Sequence, residues 1–191
     1  MFRLQIAKET YLAPLADSDA ETLLALINAN RAHLRPWIPW VDDTLTAADA
    51  LRFIANGQRQ LAEGEALYAA VWHQGELAGV AALNYIDRLR GQTEIGYWLG
   101  TAYQGQGLMT AACQALVDYA FTYLGLRRVE IRCALENHRS RAVPLRLGFI
   151  EEGVQPQMAW QRGCFTQTVV YAVDSETWQR VKGELLTGGR R

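Results

Sequence analysis

The apolar positions of this 191-residue chain switch between a two-residue and a three-to-four-residue rhythm, and each switch marks an element. Residues 10–15 (TYLAPL) read as a short strand. Leu23, Leu24, Ile27 and Leu34 then recur at helical spacing behind an N-cap at Asp17 or Ser18, and Pro36 stops that helix. Thr46 with Asp49 has the spacing of a capping box and opens a second helix to about Glu63. Two β-rich runs follow, 67–73 (LYAAVWH) and 76–85 (ELAGVAALNY), with a hairpin turn at Gln74-Gly75. A third run, 93–99 (TEIGYWL), comes after a polar loop at 87–92. The turn TAYQGQG leads into a helix through Leu124, with Leu108, Ala112, Leu116, Tyr119 and Tyr123 on one stripe. Gly125 ends it. Residues 128–135 form a strand and 138–147 a short helix ending at Gly148. Strands at 149–154 and about 165–173 and a helix from Asp174 or Ser175, carrying Trp178, Val181 and Leu185, complete the pattern.

The strand–turn–helix–strand at the centre is a βαβ unit, which makes its two strands parallel. The flanking hairpins make the rest antiparallel. The pattern predicts an α+β chain with one mixed, mostly antiparallel sheet and helices on both faces. Residues 1–187 are expected to form a single domain, and 188–191 (GGRR) a disordered tail.

Composition narrows the function classes. Half of the residues are hydrophobic, a fifth are charged, and the formal net charge is −1, so no bulk electrostatic argument favours nucleic acid. The start MFRLQIAKETY lacks the long apolar run and small-residue cleavage site of a signal peptide, and the apolar stretches fall short of a membrane span. A cytoplasmic, soluble protein without membrane or nucleic-acid partners is expected. Cys113, Cys133 and Cys164 are odd in number and widely spaced, and His33, His73 and His138 are scattered, so no metal site is expected.

The sharpest chemical signal is Gln104-Gly105-Gln106-Gly107-Leu108-Met109-Thr110, lying between a strand and a helix. A helix start leaves amide N–H groups unpaired and carries partial positive charge, and glycines let an anion approach the backbone. Such a turn can cradle a phosphate, or it can be a tight turn and nothing more. The Gly-Lys-Ser/Thr ending of a Walker loop is absent. Thr110 stands where a Rossmann loop has its third glycine.

Gln104-x-x-Gly107-x-Met109 resembles the Q/R-x-x-G-x-G/A signature of the GNAT acetyltransferase superfamily, with Met109 departing at the last position. The flanks Glu94-Ile95-Gly96-Tyr97-Trp98-Leu99, Asn137-x-x-Ser140 and Leu147-Gly148-Phe149 resemble its RimJ/RimL-type, ribosomal-protein N-terminal branch. The similarity runs loosely from about residue 10 to 173. It implies a splayed central parallel pair, with acetyl-CoA as acetyl donor. The pantetheine arm would lie along the backbone of Tyr97, Trp98 and Leu99. The pyrophosphate would rest on the amides of Gln104, Gly105, Gln106, Gly107, Leu108, Met109 and Thr110. Asn137 would contact the pantetheine, and Ser140 would lie near the sulfur.

Acetyl transfer needs a neutral amine, a donor for the oxyanion and a proton for the leaving thiolate. Glu94 is the candidate base, acting through water, with Tyr97 and Trp98 expected to make its surroundings apolar enough to raise its pKa. The alternative is a surface carboxylate on an alternating strand. The resemblance makes Ser140 the candidate acid; capping the short helix is its alternative role. A backbone N–H of 97–99 is the simplest oxyanion donor. No covalent nucleophile is indicated, so transfer is expected to be direct. In the loop 34–43, Trp37, Trp40, Asp42 and Asp43 suit a cationic amine or a peptide N-terminus; alternatively the tryptophans pack on the core and the aspartates are solvated. The resemblance implies a second acceptor element in the hairpin 155–168, with Trp160, Arg162 and Phe165, and Gln167 stands where the branch often has an aspartate. The expected acceptor is a protein N-terminal α-amine, with a small-molecule amine or polyamine, or a non-catalytic CoA-binding module, as alternatives. A homodimer is a further expectation.

Overall fold

The computed structural model describes residues 2–161 and 164–187, the side chains of 156–166 and 184–187 excepted. Two short strands, β1 (Leu4–Ala7) and β2 (Thr10–Pro14), precede α1 (Ala20–Leu34) and α2 (Ala47–Glu63). The meander β3 (Leu67–His73), β4 (Glu76–Asp87) and β5 (Gln92–Leu99) follows. Next come α3 (Leu108–Thr122), β6 (Arg128–Ala134), α4 (His138–Arg146), β7 (Ile150–Gln161), β8 (Cys164–Asp174) and α5 (Ser175–Thr187). All eight strands join one sheet in the order β1-β2-β3-β4-β5-β6-β8-β7, antiparallel except for β5 against β6.

Local chemistry sets several of these boundaries. Thr46 accepts from the Asp49 amide while Asp49 Oδ2 accepts from the Thr46 amide, the reciprocal box expected at the start of α2. The first helix begins later than the sequence predicts: Asp17–Asp19 form a 3-10 turn and Asp19 becomes the N-cap of α1. The strand β1 is an addition to the predicted pattern, because LQIA is too short to show alternation. Among the described residues its single partner is β2, and a bulge interrupts the pairing. The stripe of α3 is buried at Leu108, Ala112 and Leu116, but Tyr123 falls beyond the helix and is exposed.

Two apolar layers flank the sheet. On one face α3, β6 and β8 bury Leu116, Val117, Ile131 and Tyr171, with Trp178 from α5. On the other, α1 and α2 bury Leu23, Ile27 and Ile54 against Val80 and Trp98. Alternation along β5 sends Ile95 to the first layer and Trp98 to the second. Trp178 is fully buried and its Nε1 donates to Asp118 Oδ1 at 2.8 Å, an oxygen that also accepts from Lys182 Nζ at 2.9 Å. Truncating it leaves a cavity and removes a donor from the carboxylate. Trp178→Ala is therefore expected to cost about 3–5 kcal/mol, lowering Tm by roughly 10 °C in thermal unfolding; an unchanged Tm would place α5 outside the cooperative core.

The central parallel pair positions the site. β5 and β6 are in register at Gln92↔Arg128, Thr93↔Val129, Glu94↔Glu130 and Ile95↔Ile131, and there the ladder stops. β5 continues along β4 as far as Leu99, and β6 continues along β8 as far as Ala134. The two strands part beyond Ile95 and Ile131. Among the described residues, the β6-facing edge of Gly96–Leu99 consequently has no strand beside it.

Candidate active site

At the end of the parted β5, a 3-10 turn at Thr101–Tyr103 delivers the chain to the glycine loop. Gly105 and Gly107 both have φ of +76°, the left-handed region that side chains disfavour, and both are exposed with open space where a Cβ would stand. Gly107 is the N-cap of α3, and no side chain caps that end. Ala111 donates to the Gly107 carbonyl at 3.0 Å, the first amide of the helix to find an intrahelical acceptor. The preceding helix amides, at Leu108, Met109 and Thr110, point out of the helix start. This is an exposed run of amides at a positive dipole end, which fits a pyrophosphate.

The departure at Met109 does not alter that surface. Met109 and Leu108 turn their side chains into the core, each 6 % exposed. Gln106 Nε2 donates back to the Ala102 carbonyl at 3.1 Å and braces the turn. Gln104 reaches two other elements: its Nε2 donates to His33 Nε2 at 2.7 Å, and its Oε1 accepts from Arg139 at 2.7 Å. Burial, and then the Arg139 charge, lower the pKa of His33, which favours the neutral ring needed to accept.

On the α3 face of the parted strands, Ser140 stands among side chains that spacing alone does not gather. Its Oγ donates to the Tyr97 hydroxyl at 3.2 Å and lies 3.2 Å from Cys133 Sγ. The Tyr97 hydroxyl donates to the Ser140 carbonyl at 2.8 Å, joining β5 to α4 across the gap. Burial raises the pKa of the Tyr97 phenol well above its usual value, and burial also raises that of Cys133, so both are proton-bearing groups at neutral pH. The resemblance assigns only the backbone of Tyr97; the structure also ties its side chain to Ser140. The cap of α4 is Asn137, whose Oδ1 accepts from the Ser140 amide at 3.1 Å. The capping role considered for Ser140 therefore falls to Asn137, and the serine hydroxyl faces the gap cluster.

Glu94 sits on the opposite face, and its surroundings correct the expectation of an apolar pocket. Tyr97 points to the other side of β5. Glu94 Oε1 accepts from Asn84 Nδ2 at 2.9 Å and Oε2 lies 3.2 Å from Arg132 Nε. Parallel register sets Glu94 beside Glu130, and Arg132 bridges the pair, reaching Glu130 Oε2 at 2.9 Å. Two carboxylates side by side need such a cation between them. Gly96 makes the arrangement possible, since a Cβ there would meet the Asn84 amide at 2.8 Å. Tyr85 borders the group: burial, then the Glu130 and Glu94 charges, raise its pKa.

In the 34–43 segment, Trp40 stacks on Phe53 at 5.6 Å and meets Trp98 edge-on at 6.3 Å. It is half-buried at the rim of the second layer, as the packing alternative had it. Trp98 is itself core, with its Nε1–H unpartnered among the described residues, so it can serve a cofactor through its backbone. Asp42 pairs with Arg35 at 3.1 Å, Asp43 is exposed, and Trp37 is half-buried. Gln167 is exposed on β8. The side chains of Trp160, Arg162 and Phe165 lie outside the described residues, as do 188–191. Among the described residues no cluster of His, Cys, Asp and Glu could hold a metal, and no helix is long and apolar enough to cross a membrane.

Comparison with known proteins agrees with this geometry. The family model described as an acetyltransferase (GNAT) domain matches residues 10–150. A candidate ribosomal N-acetyltransferase of Bacillus subtilis (strain 168), YdaF, is 34% identical over 184 residues, 95% of this chain and 100% of that protein. The ribosomal-protein-serine acetyltransferase of Escherichia coli (strain K12) is 30% identical over 175 residues, 91% of this chain and 98% of that protein. The structure of RimL, a ribosomal L7/L12 alpha-N-protein acetyltransferase in complex with coenzyme A held as a disulfide to one of its own cysteines, superposes with a TM-score of 0.88. It is 26% identical, and the match covers 92% of this chain and 99% of that one. With a parted parallel pair, an uncovered amide loop and a family match over most of its length, this chain belongs to the GNAT acetyltransferase family.

Proposed function

We propose that the protein moves an acetyl group from acetyl-CoA directly to the α-amine of a protein N-terminus, such as that of a ribosomal protein. The observation that carries this is the parted β5–β6 ladder. An edge of free backbone and an amide-lined loop lie at its opening, with a carboxylate on one face and a hydroxyl cluster on the other. The ribosomal-protein relatives support the acceptor class.

Acetyl-CoA, when bound, supplies an activated thioester. The amides of 105–110 would hold its pyrophosphate, and the edge of Tyr97–Leu99 with Asn137 would hold its pantetheine amides. Glu94, oriented by Arg132 and Asn84, takes the amine proton through water. A backbone N–H of 97–99 faces the developing oxyanion. Ser140 Oγ, backed by the neutral Tyr97 phenol, holds the proton given to the leaving sulfur. Trp37, Trp40, Asp42 and Asp43 border the acceptor side.

The reading takes 1–187 as one transferase domain acting in the cytoplasm. It includes a homodimer, for which the exposed Ile150 and Val154 on the margin strand β7 speak. The test is thiol release from acetyl-CoA with peptides of ribosomal-protein N-terminal sequence, spermidine and amino-acid-like amines. Peptide-dependent release is expected. Release with spermidine alone would reject the protein N-terminus, and CoA binding without release for any amine would leave a binding module.

A further inference from the structure

The glycine loop has amides but no cation of its own: residues 100–110 contain no lysine, arginine or histidine. A helix start contributes about half a unit of positive charge, against the two negative charges of a pyrophosphate. His33, the nearest titratable group on α1, is not the counter-charge, because burial and Arg139 disfavour its protonation.

Arg139 stands apart from the other arginines around the gap. Arg128, Arg132 and Arg141 are each paired with a glutamate. Arg139 is exposed, carries no carboxylate partner among the described residues, and donates to Oε1 of Gln104, the residue that opens the loop. The two partners arrive from different sides. β5 leads to Gln104 and β6 leads to Arg139, so this bond ties together the segments that the parting strands carry away from each other. Gln104 is oriented for the task, with His33 accepting from its nitrogen and leaving its oxygen to the guanidinium.

We propose that Arg139 is a cofactor-binding residue, a guanidinium that Gln104 holds at the loop to complete the site for the pyrophosphate of coenzyme A. The proposal rests on the acetyl-CoA reading above, and its test involves no acceptor. The whole chain is titrated calorimetrically with acetyl-CoA, with its 3′-dephospho analogue and with acetylpantetheine, which has no phosphate. Arg139→Gln is expected to bind acetyl-CoA about tenfold more weakly, the worth of one charge-assisted hydrogen bond. The same loss is expected with the dephospho analogue, none with acetylpantetheine, and partial recovery in Arg139→Lys. Thermal unfolding of each variant, expected to match the parent, reports folding separately.

Equal acetyl-CoA affinity in the parent and Arg139→Gln overturns the proposal. A loss that disappears with the dephospho analogue moves the guanidinium to the 3′-phosphate and overturns the pyrophosphate assignment. A loss that persists with acetylpantetheine makes Arg139 a structural strut. If the parent itself fails to bind acetyl-CoA, the transferase reading falls and this proposal with it.

Discussion

Replacing Glu94 with glutamine is expected to lower kcat by about 10²–10⁴-fold at saturating acetyl-CoA and acceptor peptide, with little change in acetyl-CoA affinity. The α-amine arrives largely protonated, and a general base in hydrogen-bond reach, directly or through one water, removes that barrier. Glutamine keeps the size of the side chain and can still meet Asn84, while Glu130 continues to hold Arg132. The substitution therefore subtracts the proton acceptor and little else. The two surfaces proposed to hold the cofactor, the Gly96–Leu99 edge and the glycine loop, do not involve this carboxylate. Steady-state kinetics paired with calorimetry separates the two effects. An unchanged kcat with both substrates saturating would take Glu94 out of the reaction and reduce it to the partner of Arg132.

Gly107→Val is expected to weaken acetyl-CoA binding by roughly 100-fold while costing about 1–2 kcal/mol of stability. The valine side chain has open space around it, so no clash is involved; the cost is conformational. A φ of +76° is unfavourable for any L-residue and worst for a β-branched one. The chain relieves the strain by rotating toward negative φ, and this turns the amides at the α3 start away from their common focus. Charge-assisted hydrogen bonds from several amides are lost together. Melting temperature and calorimetric affinity measured on the same variant test the claim. A variant with a lowered Tm and full affinity would place the pyrophosphate somewhere other than this loop.

The parts legible in the sequence are those in which a residue's role is settled by its near neighbours. Thr46 and Asp49 announce a box that needs only three residues to form. The run from Glu94 through Thr110 announces strand, turn and helix, because each step has its own local grammar. The alternation of β5 carries a further constraint: Tyr97 and Glu94 are an odd number of residues apart and must face opposite sides. That parity takes Tyr97 out of the surroundings of Glu94, while Trp98, an even number of residues away, shares its face, and the polar partners Asn84 and Arg132 decide its setting. Other features depend on partners distant in the chain. Arg132 reaches Glu94 because two strands align at Glu94↔Glu130, and Arg139 reaches Gln104 because β6 ends where it does. Neither pairing follows from spacing. The strand β1 is illegible for a related reason: four residues at a margin take their structure from β2 and have little pattern of their own.

Most sheets keep their unpaired backbone at the two outer rims, where charge or prolines guard it from chance association. The separation of β5 from β6 gives this molecule a third rim, lying between its own strands. A slender guest with amide groups spaced along its length can lie against that inner rim as a short surrogate strand, knitting the halves of the sheet together from within. On the proposed reading the donor molecule becomes a temporary part of the architecture, paired to backbone that the sheet itself leaves open.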